Sequence, residues 1–392
     1  MAFFRNSSIN LLNLHYGIHC IALSGGAAFF AIYLLKSGVP VPGVFVSLAL
    51  ILVGRLVIRP IVIGLAARWD LRAMVVAGTV LSALQYPFLA EVHGVGAALA
   101  GLIVMSAVGD TVYWSTYHAY FAALGDDELR GRQIGVREAI AAVVGIASPL
   151  VTGWMLVAFG PRVAFAATSG IVALAALPLL WAPKVKVRRQ VPGAFRAAVS
   201  GMLLFVADGW IAAGYVFVWQ IALFVSLDQS LLAYGGALAF SALVGAIGGL
   251  TLGRHIDAGR GKQAVWYAFG TFALIVALRA AATGDATIAV LANALGAFGA
   301  CLYIPTLMTA VYTMAKRSPC TLRFHVAAEG GWDVGGAMGL LAAALATGLG
   351  VGLWAGVLQS LAGVAAIVIM LHRYYANSPA SVVDGMGKPA TS

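Results

Sequence analysis

Pro183-Lys-Val-Lys-Val-Arg-Arg-Gln-Val-Pro-Gly193 is the sharpest polar break in an otherwise apolar chain. Four of its residues are basic, and it falls near the midpoint of 392 residues. Either side of it lie runs long enough to cross a bilayer, which takes roughly 20 mostly apolar residues in a helix. Before the break these runs cover 11–35, 43–66, 72–92, 95–122, 133–158 and 161–182. After it they cover 196–225, 231–254, 264–284, 286–315, 323–349 and 351–373. The reading is an all-α polytopic membrane protein of twelve spanning helices. Its units are 1–182, a six-helix bundle; 183–195, a basic linker; 196–376, a second six-helix bundle; and 377–392, a disordered tail rich in Ser, Pro, Gly and Lys.

Composition supports that reading. The chain is 61% hydrophobic and 10% charged, with a mean hydropathy of +0.94. A water-soluble domain carries roughly a quarter charged residues to cover its surface. Here most of the surface must meet lipid. The pI near 9.7 suggests a nucleic-acid partner at first sight. The basic residues instead sit singly or in short clusters between apolar runs, and no nucleic acid is expected. The three cysteines, Cys20, Cys301 and Cys320, have no paired spacing, so neither a disulfide framework nor a thiolate metal site is expected. The first apolar run is long enough to span and leads into further spans, so it reads as an uncleaved helix rather than a signal peptide.

Charge asymmetry tests the count of spans. With the N-terminus inside, eighteen of the 24 Lys and Arg fall in inside segments, and only Lys36 and Arg162 fall outside. An error in the number of spans would scramble this alternation, so the bias toward basic cytoplasmic loops supports twelve spans with both termini cytoplasmic. In a bacterial cell that is the inner membrane.

The halves also repeat weakly. A shift of 190 places Gly109 on Gly299, Tyr113 on Tyr303 and Thr116 on Thr306; a shift of 191 places Arg132 on Arg323, Glu138 on Glu329 and Gly145 on Gly336. Among so few charges, an Arg and a Glu recurring six residues apart carry the weight.

With that division in hand, the chain resembles the major facilitator superfamily over nearly its whole length. The family's loop between helices 2 and 3 runs roughly G-x-L-A-D-R-x-G-R-R. Ile63-Gly-Leu-Ala-Ala-Arg-Trp-Asp-Leu-Arg72 keeps Leu65, Ala66, Arg68 and Arg72, with Ile63 and Ala67 in place of the Gly and Asp. The matching loop after helix 8, Gly253-Arg-His-Ile-Asp-Ala-Gly-Arg-Gly-Lys262, keeps Gly253 and Asp257. Glu128-Leu-Arg-Gly-Arg-Gln-Ile-Gly135 and Phe159-Gly-Pro-Arg162 resemble the family's approaches to helices 5 and 6. The resemblance implies two pseudo-symmetric bundles rocking about a midplane cavity lined by helices 1, 4, 7 and 10. It also implies a cytoplasmic latch, for which Arg68, Arg72, Asp257, Arg132 and Arg323 are the candidates. Gly145-Ile-Ala-Ser-Pro149-Leu-Val-Thr-Gly153 resembles the family's antiporter motif on helix 5, which tilts the expectation toward export. Met105 stands where proton-driven drug exporters carry an Arg on helix 4.

Ionisable residues within spans are costly, so each is a functional candidate. Asp110, Tyr113, Trp114 and Tyr117 recur at i, i+3, i+4 and i+7, a single helical face. Asp208, Tyr215 and Trp219 form a similar stripe on helix 7, and Asn293 and Tyr303 lie on helix 10. Arg55 on helix 2 sits at about the depth of Asp110, which suggests an Arg55–Asp110 pair in the empty cavity. Tyr113, Trp114, Tyr117, Tyr215, Trp219, Asn293, Tyr303 and Arg55 are the candidate substrate contacts. Asp110, Asp208, Glu138, Glu329 and His19 are the candidate proton carriers. His15 and His19, at i and i+4, are too few ligands for a metal site and read as cavity wall or, for His19, a proton relay. Asp126-Asp127-Glu128 reads as a solvated helix end, and Gly245, Gly249 and Gly253 as a packing seam.

No phosphate-binding G-x-x-x-x-G-K-[ST] loop occurs, and no nucleophile–base or metal-ligand set has catalytic spacing. The expectation is a monomeric secondary transporter, not an enzyme, without cofactor or metal. It moves a small organic solute with protons, and the mixed lining suggests an aromatic or amphiphilic solute with an anionic group for Arg55. The alternatives are a lipid or lysolipid flippase on the same fold and a non-transporting membrane sensor. The bilayer is the one partner that every alternative shares.

Overall fold

The computed structural model describes residues 6–124, 130–187, 191–252 and 261–376. All regular structure among them is helical, in twelve rods. These are α1 (Ser7–Lys36), α2 (Val41–Arg68), α3 (Leu71–Ala90), α4 (Ala97–Leu124), α5 (Arg130–Ala158) and α6 (Gly160–Trp181) in the first half. The second half holds α7 (Ala194–Ser226), α8 (Leu231–Leu252), α9 (Gly261–Ala281), α10 (Ala286–Arg317), α11 (Thr321–Gly348) and α12 (Leu353–Ala376). Ten are long and apolar enough to cross a membrane. Of the others, α9 has a shorter apolar stretch, Val265–Ala281, and α11 is 28 residues long but carries Arg323, Glu329 and Asp333. Helices suit this role because each satisfies its backbone polar groups internally, which hydrocarbon cannot do.

The rod ends follow from local chemistry. Asn6, Asp70 and Asp285 cap α1, α3 and α10, each accepting a hydrogen bond from a backbone N–H three residues on. Pro40 precedes α2, where a missing N–H costs nothing. Gly38, Gly94, Gly160, Gly193, Gly284 and Gly350 turn the chain at positive φ between rods. Large apolar side chains such as Leu274, Val143 and Leu345 face outward. In water such a surface would aggregate; in lipid it is the expected exterior.

Two seams join the halves. Along one, α2 packs on α11; along the other, α5 packs on α8. The second seam is tight. A Cβ added to Gly153 would meet the Leu231 carbonyl at 2.8 Å, and one added to Gly235 would meet the Pro149 carbonyl at 2.6 Å. The small residues of the helix-5 motif thus admit α8 at backbone contact distance. Phe29 of α1 stacks edge-on against Tyr234 of α8, with ring centroids 5.3 Å apart. Within the second half, Gly331 and Gly335 press on the α7 carbonyls of Met202 and Val206, which fixes the faces of α11 on which Glu329 and Asp333 lie.

Candidate functional site

A cavity of ≈ 200 Å³ lies between the halves. Most of its wall comes from the first half, with Phe217 and Gln220 of α7 and Trp332 of α11 from the second. Its ionisable lining residues are His19, Arg55 and Asp110, all at middle depth of their rods. Ser82, Gln85 and Ser106 supply neutral polar groups, and Ser106 donates a 2.9 Å hydrogen bond to Gln85 Oε1. Phe30, Tyr86, Tyr113, Trp114, Phe217 and Trp332 supply ring faces.

The α4 stripe behaves as its helical spacing implies up to Trp114. Asp110, Tyr113 and Trp114 reach the cavity, whereas Tyr117 is fully buried and stacks on Tyr16 and Tyr113 at 5.6 and 5.5 Å. His15 is also fully buried. Its Nδ1 lies 2.6 Å from the Ala175 carbonyl oxygen and its Nε2 lies 3.0 Å from the Tyr113 hydroxyl. A carbonyl only accepts, so Nδ1 holds the proton, and the neutral ring takes the Tyr113 hydroxyl hydrogen at Nε2. That bond turns the Tyr113 ring flat against His19, with centroids 4.3 Å apart. Among the described residues, the His19 Nδ1 and the Ser82 hydroxyl have no hydrogen-bond partner. Among the described residues, none hydrogen-bonds to or ion-pairs with Asp110. Unsatisfied buried polar groups on one wall mark a place built for water or solute.

Arg55 does not pair with Asp110. Its Nε lies 3.0 Å from Asp333 Oδ1, and its guanidinium sits 5.8 Å from the centre of the Trp332 ring. One turn further on, Arg59 is almost fully buried. It donates to Ser115 Oγ at 3.0 Å, to Glu329 Oε2 at 2.6 Å, and to Asp333 Oδ2. Two arginines of α2 therefore meet two carboxylates of α11 across the seam. The reason is geometric: α11 lies directly against α2, while Asp110 looks into the cavity. These ion pairs start at Arg55 on the cavity wall and run one turn toward the Arg68 end of α2, the side where the basic loops cluster.

The α7 stripe turns away from the cavity. Asp208, Tyr215 and Trp219 all meet α10 in antiparallel order. The Tyr303 hydroxyl donates to Asp208 Oδ1 at 3.2 Å, the Tyr215 hydroxyl to the Gly296 carbonyl at 2.6 Å, and Trp219 Nε1 to Asn293 Oδ1 at 3.0 Å. None of Asp208, Tyr215, Trp219, Asn293 or Tyr303 lines the central cavity. Tyr215, Trp219 and Asn293 surround Arg279 of α9, a residue that spacing alone did not single out. Its guanidinium lies 3.9 Å from the Tyr215 ring centre and 4.9 Å from that of Trp219. It donates to the carbonyls of Tyr215, Ala292 and Asn293 at 2.7–3.4 Å. A planar fork with several donors suits this cage; an ammonium does not. Arg279→Lys should therefore lower stability by about 2–4 kcal/mol, from lost cation–π stacking and hydrogen bonds. Thermal unfolding in detergent would register this. An unchanged melting temperature would show that the cage has no structural role.

Of the latch candidates, Arg72 donates to the Leu180 and Ala182 carbonyls at 3.1 and 3.2 Å, which ties α3 to the end of α6 within one half. It does not bridge the halves, because the end of α6 is the nearer acceptor. Arg68 is exposed at the end of α2. Arg323 lies at the start of α11, on a second cavity. Asp257 lies outside the described residues, as do the side chains of Arg132 and Glu138, whose backbone belongs to the first turns of α5. The residues not anticipated as site members are Arg59, Ser82, Gln85, Ser106, Gln220 and Trp332; Asp333 reads from the sequence, with Glu329, as part of a gate near the end of helix 11. The signal for Arg59 was present in the sequence: Arg55 and Arg59 are spaced by four on one rod, as are Glu329 and Asp333 on another.

Comparison with known proteins fits this architecture. No curated protein matches the chain. The family model described as Major Facilitator Superfamily matches residues 15–319, from within α1 to just before α11, so the match includes the basic linker and nearly all of the cavity wall. With that span covered, the chain belongs to the major facilitator superfamily, and it is a multi-pass membrane transporter.

Proposed function

We propose that this protein is a secondary active transporter that moves a small organic solute across the inner membrane by alternating access, in exchange for protons carried by Asp110. The observation that carries the proposal is the position of Asp110: an unpaired carboxylate on the wall of a cavity between two halves, with ion pairs closing one side. A carboxylate there binds a proton or a cation, and its charge changes as the cavity opens to either face. By the distribution of basic loops the closed side is the cytoplasmic one, and both termini are cytoplasmic. The small-residue motif on α5 favours export. The working unit is a monomer, since both seams lie within one chain.

The sequence suggested an anionic group on the solute, for Arg55 to meet. With Asp333 on Arg55, the charge left facing the cavity is that of Asp110, and the ring faces around it also suit a cation. The solute is accordingly an amphiphile with a cationic group. At ≈ 200 Å³ the cavity lies below the roughly 300–1,000 Å³ usual for drug-sized ligands, so the solute is small.

The test is transport in proteoliposomes under an imposed pH gradient, with organic cations, anions and neutral solutes supplied in parallel. The expected result is gradient-driven movement of cations. Movement of anions alone would overturn the solute class. Scrambling of a labelled lysolipid without any solute movement would favour a flippase, and no movement of either would favour a sensor.

A further inference from the structure

Proton exchange at Asp110 leaves the neutral polar groups beside it without a role. Ser82 and Gln85 lie on α3, and Ser106 lies on α4, one turn from Asp110 toward the Ala97 end. Two glycines set the register of these rods. A Cβ added to Gly78 would meet the Tyr113 backbone nitrogen at 2.5 Å, and one added to Gly109 would meet that of Ser82 at 2.9 Å. The rods are therefore antiparallel and in backbone contact, with Ser82 beside Gly109 and Gln85 beside Ser106. Ser106, fully buried, donates to Gln85 Oε1 and so fixes the way the amide points. Among the described residues, nothing accepts from the Gln85 Nε2, which is left for the cavity. Ser82, only 3% exposed, has a hydroxyl without a partner among them too. This buried wall holds more hydrogen-bonding capacity than the protein uses, and native side chains rarely waste it.

We infer that Gln85, oriented by Ser106, selects the solute: its Nε2 donates to a carbonyl oxygen, so the preferred substrates are cationic amines bearing an amide or ester carbonyl. The inference rests on the reading of Asp110 as the partner of the cationic group, and it adds the second point of recognition. Ser106 and Asp110 are four residues apart on α4, a rise of about 6 Å, and the solute's carbonyl oxygen stands off from its ammonium by a similar length. The second group must be an acceptor, because the Oε1 to which a hydroxyl could donate already takes the Ser106 hydrogen. A carbonyl also separates substrates in a way that charge does not. An amine lacking it would leave the Nε2 hydrogens unpaired, the kind of mismatch that a binding site rejects most strongly.

The experiment is isothermal titration of the full chain in nanodiscs with two probes of equal length, N-benzoylethylenediamine and phenylbutylamine. Both carry a ring and an ammonium group; the first alone has the carbonyl. Comparing the ratio of the two affinities between variant and parent removes the difference in hydration of the probes. In Gln85→Leu the preference for the carbonyl probe should fall about tenfold, and in Ser106→Ala, where the amide loses its anchor, about threefold. Asp110→Asn should weaken both probes alike and leave their ratio as it was. An unchanged ratio in Gln85→Leu, beside a loss of both affinities in Asp110→Asn, would overturn the inference and leave the cation reading standing. Should Gln85→Leu fold poorly, an unchanged ratio in Ser106→Ala decides in the same way. Binding of neither probe to the parent protein, or affinities in Asp110→Asn equal to the parent's, would overturn the cation reading and the inference with it.

Discussion

Arg59→Ala should open the cytoplasmic seam, shifting the balance between closed and open forms by roughly 100-fold. Arg59 is almost fully buried and holds three acceptors, on Ser115, Glu329 and Asp333. Removing one partner from a buried ion pair typically costs about 3–5 kcal/mol, because the other charge is left without compensation. The lower end applies here. Asp333 keeps Arg55, and the Glu329 side chain, 18% exposed, can recover some water. About 3 kcal/mol corresponds to roughly two decades in a two-state equilibrium. Both states are folded, so the cost appears as a change of conformation rather than as unfolding. Spin labels at the ends of α2 and α11, on Arg68 and Thr321, should report longer distances in the variant. Asp333→Leu should act more strongly, since it strips Arg55 of its carboxylate and leaves Arg59 with Glu329 and Ser115 alone. Charge reversal, Arg59→Glu with Glu329→Arg, should recover part of the closed population. An unchanged distance distribution in Arg59→Ala would remove the ion pairs from the gating mechanism.

That latch shows where sequence stops being informative. Bilayer crossing is a one-dimensional constraint on runs of residues, so the spans are legible: 43–66 was expected where Val41–Arg68 forms, and 286–315 where Ala286–Arg317 forms. Even α11, whose charges depress its hydropathy, is marked by the repeat that pairs Glu138 with Glu329. A face is legible too, because helical spacing is local. Spacing does not say what the face meets. The α4 stripe meets the cavity, while the equally regular stripe Asp208, Tyr215 and Trp219 meets α10. Depth is a similarly partial guide. Arg55 and Asp110 both line one cavity, but depth left open which carboxylate Arg55 would take. The answer depends on α11, more than 270 positions away in the chain. The matched spacing of four on α2 and α11 was the available clue, and it becomes decisive only once the two rods are known to lie side by side.

Asp110→Asn should abolish uphill transport while leaving the cavity and the fold intact. Asn keeps the shape of the side chain and its capacity for hydrogen bonds but cannot alternate between charged and neutral forms. In the parent protein each proton exchanged across a gradient of one pH unit supplies about 1.4 kcal/mol, enough for about a tenfold solute gradient. In the variant that ratio should fall to one. Downhill exchange of a neutral or weakly held solute should persist, because the rocking of the halves depends on the Arg59 network and not on Asp110. Folding should be spared, since no side chain among the described residues hydrogen-bonds to or ion-pairs with Asp110. Asp208→Asn provides the comparison. Asp208 is held by Tyr303 and lies off the cavity wall, so its loss should lower the rate without collapsing the gradient. If Asp110→Asn still accumulates solute tenfold per pH unit, the proton travels by another route and the proposed coupling fails. Collapse of the gradient in Asp208→Asn instead would assign that route to the second half.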